Sequence, residues 1–138
     1  GDLGPINKEQ KEFLEDAYKS NERMINLINS LLNVSRIEEG RYIFNPVLAD
    51  IEEITERVIS SYKEESQKKE IKVEFERPEK KLPKVVLDIE KIQIVIDNLL
   101  KNALKYTLRG GKVTISLKSG KKEIEFSIKD NGVGIPEN

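Results

Sequence analysis

The sequence predicts an α+β chain: one long helix, then a smaller unit with helices laid on one face of a mixed sheet. Three observations predict it. Apolar residues recur at helical spacing through residues 7–39, and again through residues 88–107. Short runs around residues 71–76, 113–117 and 124–128 alternate apolar with polar residues, as half-buried strands do. A change of composition near residue 45 separates the two patterns, so residues 1–45 read as one part and 46–138 as the other.

The first helix runs from about Asn7 to Glu39, close to 50 Å at about 1.5 Å per residue. Leu14, Asn21, Ile28 and Ser35 fall at one seam position of a heptad frame. Ala17, Met24 and Leu31 fall at another, with Tyr18, Ile25 and Leu32 beside them. So wide a stripe suits a helical bundle better than a narrow two-stranded coil. Nothing local covers it, which implies a preceding helix, a second copy of the chain, or both; packing onto the following part is the other reading. Gly40 ends the helix and Pro46 blocks its continuation. Residues 40–49 therefore read as a connector, with Tyr42, Ile43 and Phe44 as a short extended piece.

Asp50 opens a second helix, with Glu53 three residues on in a capping-box arrangement. Ile51, Ile54, Val58, Ile59 and Tyr62 mark its buried face, and it fades around residues 66–69. Ile71, Val73 and Phe75 make a strand, residues 77–84 a solvated loop, and residues 85–87 a short strand. Asp88 then caps the next helix, whose apolar side is Ile89, Ile92, Val95, Ile96, Leu99, Leu100, Ala103 and Leu104. Arg109-Gly110-Gly111 turns into a strand carrying Val113, Ile115 and Leu117. Ser119-Gly120-Lys121 marks a hairpin, and Ile124, Phe126 and Ile128 lie on its second strand.

Composition narrows the function. The 24 basic and 25 acidic residues nearly cancel, so no nucleic-acid or membrane-surface partner is indicated. Without cysteine there is no thiol or disulfide chemistry. Without histidine there is no histidine base or metal ligand. No apolar run reaches the roughly 18 residues that would span a bilayer.

Two motifs carry chemistry. On the central helix Lys91, Asn98, Asn102 and Lys105 form a polar stripe beside the apolar one. At roughly 100° per residue, Asn98 and Asn102 lie about 40° apart, with Lys105 about 20° to the other side of Asn98. An amide oxygen suits Mg²⁺, which takes few protein ligands, and a nearby ammonium suits a phosphate. At the chain end Asp130-Asn131-Gly132-Val133-Gly134 leaves a strand. Its glycines permit close backbone approach, and its carboxylate can accept from the amino group of a base. Taken alone, each motif reads more readily as ordinary structure: the first as a solvated helix face, the second as a turn leaving a strand.

Together, N-L-L-K-N-A-L-K-Y-T followed by D-N-G-V-G-I-P resembles the N box and first glycine box of sensor histidine kinases. These kinases share a superfamily (GHKL) with gyrase, heat-shock chaperones and mismatch-repair ATPases. The stretch M-I-N-L-I-N-S-L-L-N-V-S-R-I-E-E-G is similar to the second helix of the kinase dimerisation domain. The resemblance implies a long dimerisation helix followed by a truncated α/β sandwich. It implies ATP and Mg²⁺ as cofactors, with Asn102 as the metal ligand and Asn98 lining the same pocket. Lys105 faces the phosphates, Tyr106 lies near the nucleotide, Asp130 reads the adenine amino group, and Gly132 and Gly134 shape the floor beneath the base. It further implies a homodimer through the first helix, a response-regulator receiver domain as partner, and a cytoplasmic site, with membrane contact only through segments not in this chain.

The ATP-hydrolysing branches usually carry a glutamate base at position 98; Asn98 favours phosphotransfer. The phosphoacceptor histidine is absent, as are the lid and second glycine box. The chain alone is therefore expected to be inactive, with no catalytic residue of its own. A superfamily ATPase and a non-catalytic dimerisation or scaffold protein are the competing readings.

Overall fold

The computed structural model describes residues 4–41 and 43–134, apart from the side chain of Asn33. The chain divides into two compact units, Gly1–Phe44 and Asn45–Asn138. Tyr42, expected in an extended piece, and residues 135–138, the first two of which end the second motif, lie outside the described residues.

In the first unit α1 spans Lys8–Glu38. Asn7 caps it reciprocally: its side chain accepts from Gln10 N–H at 2.8 Å, and the Gln10 side chain accepts from Asn7 N–H at 2.9 Å. The far end closes in a Schellman motif, with Gly40 N–H donating to Ile37 O and Arg41 N–H to Arg36 O. Gly40 supplies the left-handed φ of 65° that this closure needs. Every residue of α1 whose side chain is described is exposed. Phe13, Leu27 and Val34 add a further heptad position to the expected seam, which widens the open apolar face.

In the second unit β1 (Val47–Ala49), α2 (Ile51–Ser61), α3 (Lys63–Lys68), β2 (Lys72–Glu76), β3 (Val85–Leu87), α4 (Ile89–Tyr106), β4 (Lys112–Ser119) and β5 (Ile124–Asp130) follow in order. β2 pairs parallel with β4, and β4 antiparallel with β5, giving the mixed sheet. Val113, Ile115 and Leu117 of β4 are buried at alternate positions. Against them pack Ile96, Leu100, Ala103 and Leu104 of α4 and Ile51, Ile54 and Val58 of α2. A helix layer on one sheet face buries both stripes at once.

Five expectations are corrected. Val47–Ala49, read as connector, is a strand paired antiparallel with β3, Val47 opposite Leu87. Pro46 stops helix but allows strand on its C-terminal side. The strand at residues 85–87 thus belongs to this two-stranded ribbon rather than the main sheet. The second helix breaks at Tyr62 into α2 and α3. Tyr62 O–H donates to Asp97 at 2.7 Å; burial, then Asp97, push its pKa well above the ordinary tyrosine value. Leu82 of the solvated loop is buried, and its N–H donates to Glu52 at 2.8 Å. Finally, Val95 and Leu99, assigned to the buried side of α4, are 50% and 44% exposed.

Both ends of α4 are fixed. Asp88 accepts from Lys91 N–H at 3.1 Å and from Asn45 N–H at 2.8 Å. These two backbone donors, Asn45 first, hold its pKa below the usual carboxylate range. Past the other end, Arg109 forms a two-pronged ion pair with Glu70, and Gly110 N–H donates to Glu70 O at 3.1 Å. This brings the α4–β4 turn onto the α3–β2 turn.

Candidate functional site

The last turns of α4 and the turn after β5 form one site. A cleft of about 500 Å³ is lined by Leu99, Asn102, Ala103, Tyr106, Ile128, Asp130 and Gly134. That volume lies in the range of small-molecule pockets, as does the mix of an apolar wall with few polar groups.

Of the seven residues singled out by sequence, Asn102, Tyr106, Asp130 and Gly134 line the cleft. Asn98 lies one turn before Asn102 on α4, exposed and outside the lining. Lys105 is exposed too, its ammonium 5.0 Å from the centre of the Tyr106 ring, where a cation is attracted to the π face. Gly132 is also outside the lining. A Cβ there would run into the Tyr106 carbonyl, 2.7 Å from its carbon and 2.9 Å from Asp130 Oδ1. The residue must be glycine because the turn touches the end of α4, whatever lies in the cleft.

Local hydrogen bonds explain how the turn is held. Asp130 Oδ1 accepts from Gly132 N–H at 2.9 Å, closing an Asx turn that aims the carboxylate group along the cleft side of the strand end. Val133 N–H then donates to Tyr106 O at 3.1 Å. That carbonyl is one of those left without a partner at a helix C-terminus. Thus the two motifs, 24 residues apart between Tyr106 and Asp130, are joined through backbone.

Sequence reasoning missed several residues here. Leu99, Ala103 and Ile128 form the apolar wall, although their periodicity marked them only as core. Asn131 and Gly111 hold the turn, and Thr107 packs its methyl against Gly111. Thr107 Oγ1 is buried without a hydrogen-bond partner among the described residues. The Asn between Asp130 and Gly132 was the available signal.

The cleft's donor set fits Mg²⁺ held jointly with a polyphosphate. No group of three or more His, Cys, Asp or Glu residues among the described residues could cage a metal. Magnesium does not require one, since it keeps waters and binds through one or two protein oxygens plus phosphates. The Asn102 side-chain oxygen offers such a ligand.

The chain is similar to known proteins in sequence and in fold. Residues 87–138 match the family described as histidine kinase-, DNA gyrase B- and HSP90-like ATPase. The sensor histidine kinase WalK of Bacillus subtilis is 38% identical over 129 residues, which cover 91% of this chain and 20% of that protein. The chain thus spans about a fifth of that relative's length. The histidine kinase AdeS of Acinetobacter baumannii has the same fold, with a TM-score of 0.79 at 23% identity over 99% of this chain and 66% of that one. The histidine kinase ThkA, solved in complex with the response regulator protein TrrA, superposes with a TM-score of 0.76 at 20% identity over 99% of this chain and 39% of its own. Among the described residues, no helix is long and apolar enough to cross a membrane.

Proposed function

We propose, for a chain that belongs to the sensor histidine kinases, that its second unit holds the adenine end and the metal of Mg-ATP while the γ-phosphate passes to a histidine. The observation that carries this reading is the placing of Asn102 and Asp130 on the walls of one cleft of about 500 Å³. Asp130 accepts the adenine amino hydrogen; its backbone-bonded Oδ1 fixes the carboxylate's orientation. Leu99, Ala103 and Ile128 pack against the base, and Tyr106 lies beside it. Asn102 supplies the protein oxygen for Mg²⁺, and Asn98 lies one turn earlier on the same helix. Bound Mg²⁺ neutralises charge on the phosphates, and Lys105 adds a point charge from the protein.

The acceptor histidine is not in this chain, which has none. Asn98 has no carboxylate to act as base on water, which supports transfer to a protein over hydrolysis. The open apolar face of α1 supports a homodimer through that helix, with residues 1–45 as the dimerisation part and 46–138 as part of the ATP-binding domain. By analogy with ThkA, a receiver domain takes the phosphate in the whole protein, on the cytoplasmic side of any membrane. The chain alone is inactive in autophosphorylation and in ATP turnover.

Nucleotide titration tests the reading. Mg-ADP binds more tightly than Mg-GDP, since guanine presents no amino group at that edge, and Asp130→Asn weakens Mg-ADP about tenfold, as losing a hydrogen bond to a charged acceptor does. Equal affinity for the two nucleotides, or an unchanged Asp130→Asn variant, rules the assignment out.

A further inference from the structure

The β4–β5 ladder ends with a rung that backbone alone does not make. Its last backbone pair sets Val113 opposite Asp130. One step further, Asn131 N–H donates to Lys112 O at 3.2 Å, as the next rung would. The return bond is different: Lys112 N–H donates to the side-chain oxygen of Asn131 at 2.7 Å, not to its backbone carbonyl. The side chain substitutes for the carbonyl, so the chain can leave the sheet one residue early without orphaning Lys112 N–H.

The early exit has a use. It lets Gly132 come against the Tyr106 carbonyl and Val133 N–H bond to it. Gly111 lies on the other side of the Asn131 amide; a Cβ there would sit 2.8 Å from Asn131 Oδ1 and would run into the Thr107 methyl. The end of α4, the turn into β4 and the turn after β5 are therefore stacked, with the Asn131 amide between the last two. Asn131 is exposed and does not line the cleft.

We infer that Asn131 is a positioning residue of the nucleotide site: its side chain completes the ladder at Lys112 and so fixes the turn that presents Asp130 across from Asn102. The inference rests on the nucleotide reading given above for the role of Asp130, but the clamp itself can be tested separately. Position 131 needs an acceptor one carbonyl beyond Cβ. Aspartate supplies it; leucine, of similar size and shape, does not.

Amide hydrogen exchange and Mg-ADP affinity are measured on the full chain, on Asn131→Leu and on Asn131→Asp. In Asn131→Leu, Lys112 and Val133 amides exchange about tenfold faster while Ile115, in the sheet centre, keeps its rate. Mg-ADP binding weakens about fivefold, in proportion to one exposed hydrogen bond. Asn131→Asp restores both within about twofold. Faster exchange at Lys112 and Val133 with unchanged affinity makes Asn131 structural only and overturns the positioning role. Unchanged exchange, or loss that aspartate does not rescue, overturns the clamp. Should the parent chain bind no Mg-ADP, the nucleotide reading fails on its own, and the exchange rates still decide whether Asn131 holds the turn.

Discussion

Helices α1 and α4 look alike in sequence and differ in what stabilises them. Both are amphipathic, and both begin with a side chain that accepts from the first turn, Asn7 in one and Asp88 in the other. Yet α4 buries Ile96, Leu100, Ala103 and Leu104, whereas every described side chain of α1 is exposed. A helical period says that one face wants cover; it does not say where the cover comes from. For α4 the sheet provides it. For α1 the proposed homodimer would supply it, since tertiary packing supplies most of a helix's stability in water.

Truncating the buried Leu100 of α4 and the exposed seam residue Leu31 of α1 breaks the comparison most sharply. Leu100 is fully buried, so Leu100→Ala should lower the stability of the second unit by about 2–5 kcal/mol. Leu31→Ala should leave that unit's unfolding within about 0.5 kcal/mol while weakening self-association, read from denaturant melts and sedimentation. Equal losses in the second unit would mean that α1 has cover of its own.

Gly132→Ala comes next. The added Cβ meets backbone, not a flexible side chain, so the turn must lift off α4. Mg-ADP affinity should fall by more than about tenfold with the far-UV spectrum unchanged, because the lost contact is local. Retained affinity would show that the turn does not need the Tyr106 carbonyl.

Caps give a smaller contrast. Asp88 is buried and accepts from two segments, so Asp88→Ala should lower the second unit's Tm by roughly 5 °C. Asn7→Ala, at an exposed end, should cost only helicity in α1. The smallest effect is acid dependence at Glu74. Lys112, at 2.7 Å, and Lys72, at 2.6 Å, hold its pKa down to about 2. A carboxyl lowered in the folded state contributes above its ordinary value of 4.5 and loses that contribution as pH falls towards 2. Glu74→Gln should lower the Tm slightly and evenly above pH 5, with the difference from the parent shrinking as pH falls from 4.5 towards 2; a difference that persists undiminished at pH 2 would assign the effect to packing.

What was legible follows from which forces act locally. Helix α4 could be placed to within a residue because Asp88 is a local cap and its apolar stripe is long. The hairpin of β4 and β5 was equally clear, since alternation flanks a glycine turn. Strand β1 was hidden: three residues after a proline acquire their meaning only from pairing with β3, nearly 40 positions on. The exposure of Val95 and Leu99 was hidden for a related reason. Periodicity assigns an apolar residue to a face but does not distinguish a face under a sheet from one beside a cleft. At the site, Asn102 and Asp130 were visible by residue type. Asn131 stood in the same motif as Asp130, but its role was hidden, because that role depends on a ladder whose last backbone pair is Val113 and Asp130.

The central claim is that α4 and the turn after β5 bind one nucleotide between them. Mg-ADP titrated into the ¹⁵N-labelled chain measures this directly. The largest amide shifts should fall together on Leu99, Asn102, Tyr106, Asp130 and Gly134, growing with a single dissociation constant even if binding is weak. Shifts confined to only one of the two motifs, or saturating at different concentrations for each, would contradict it.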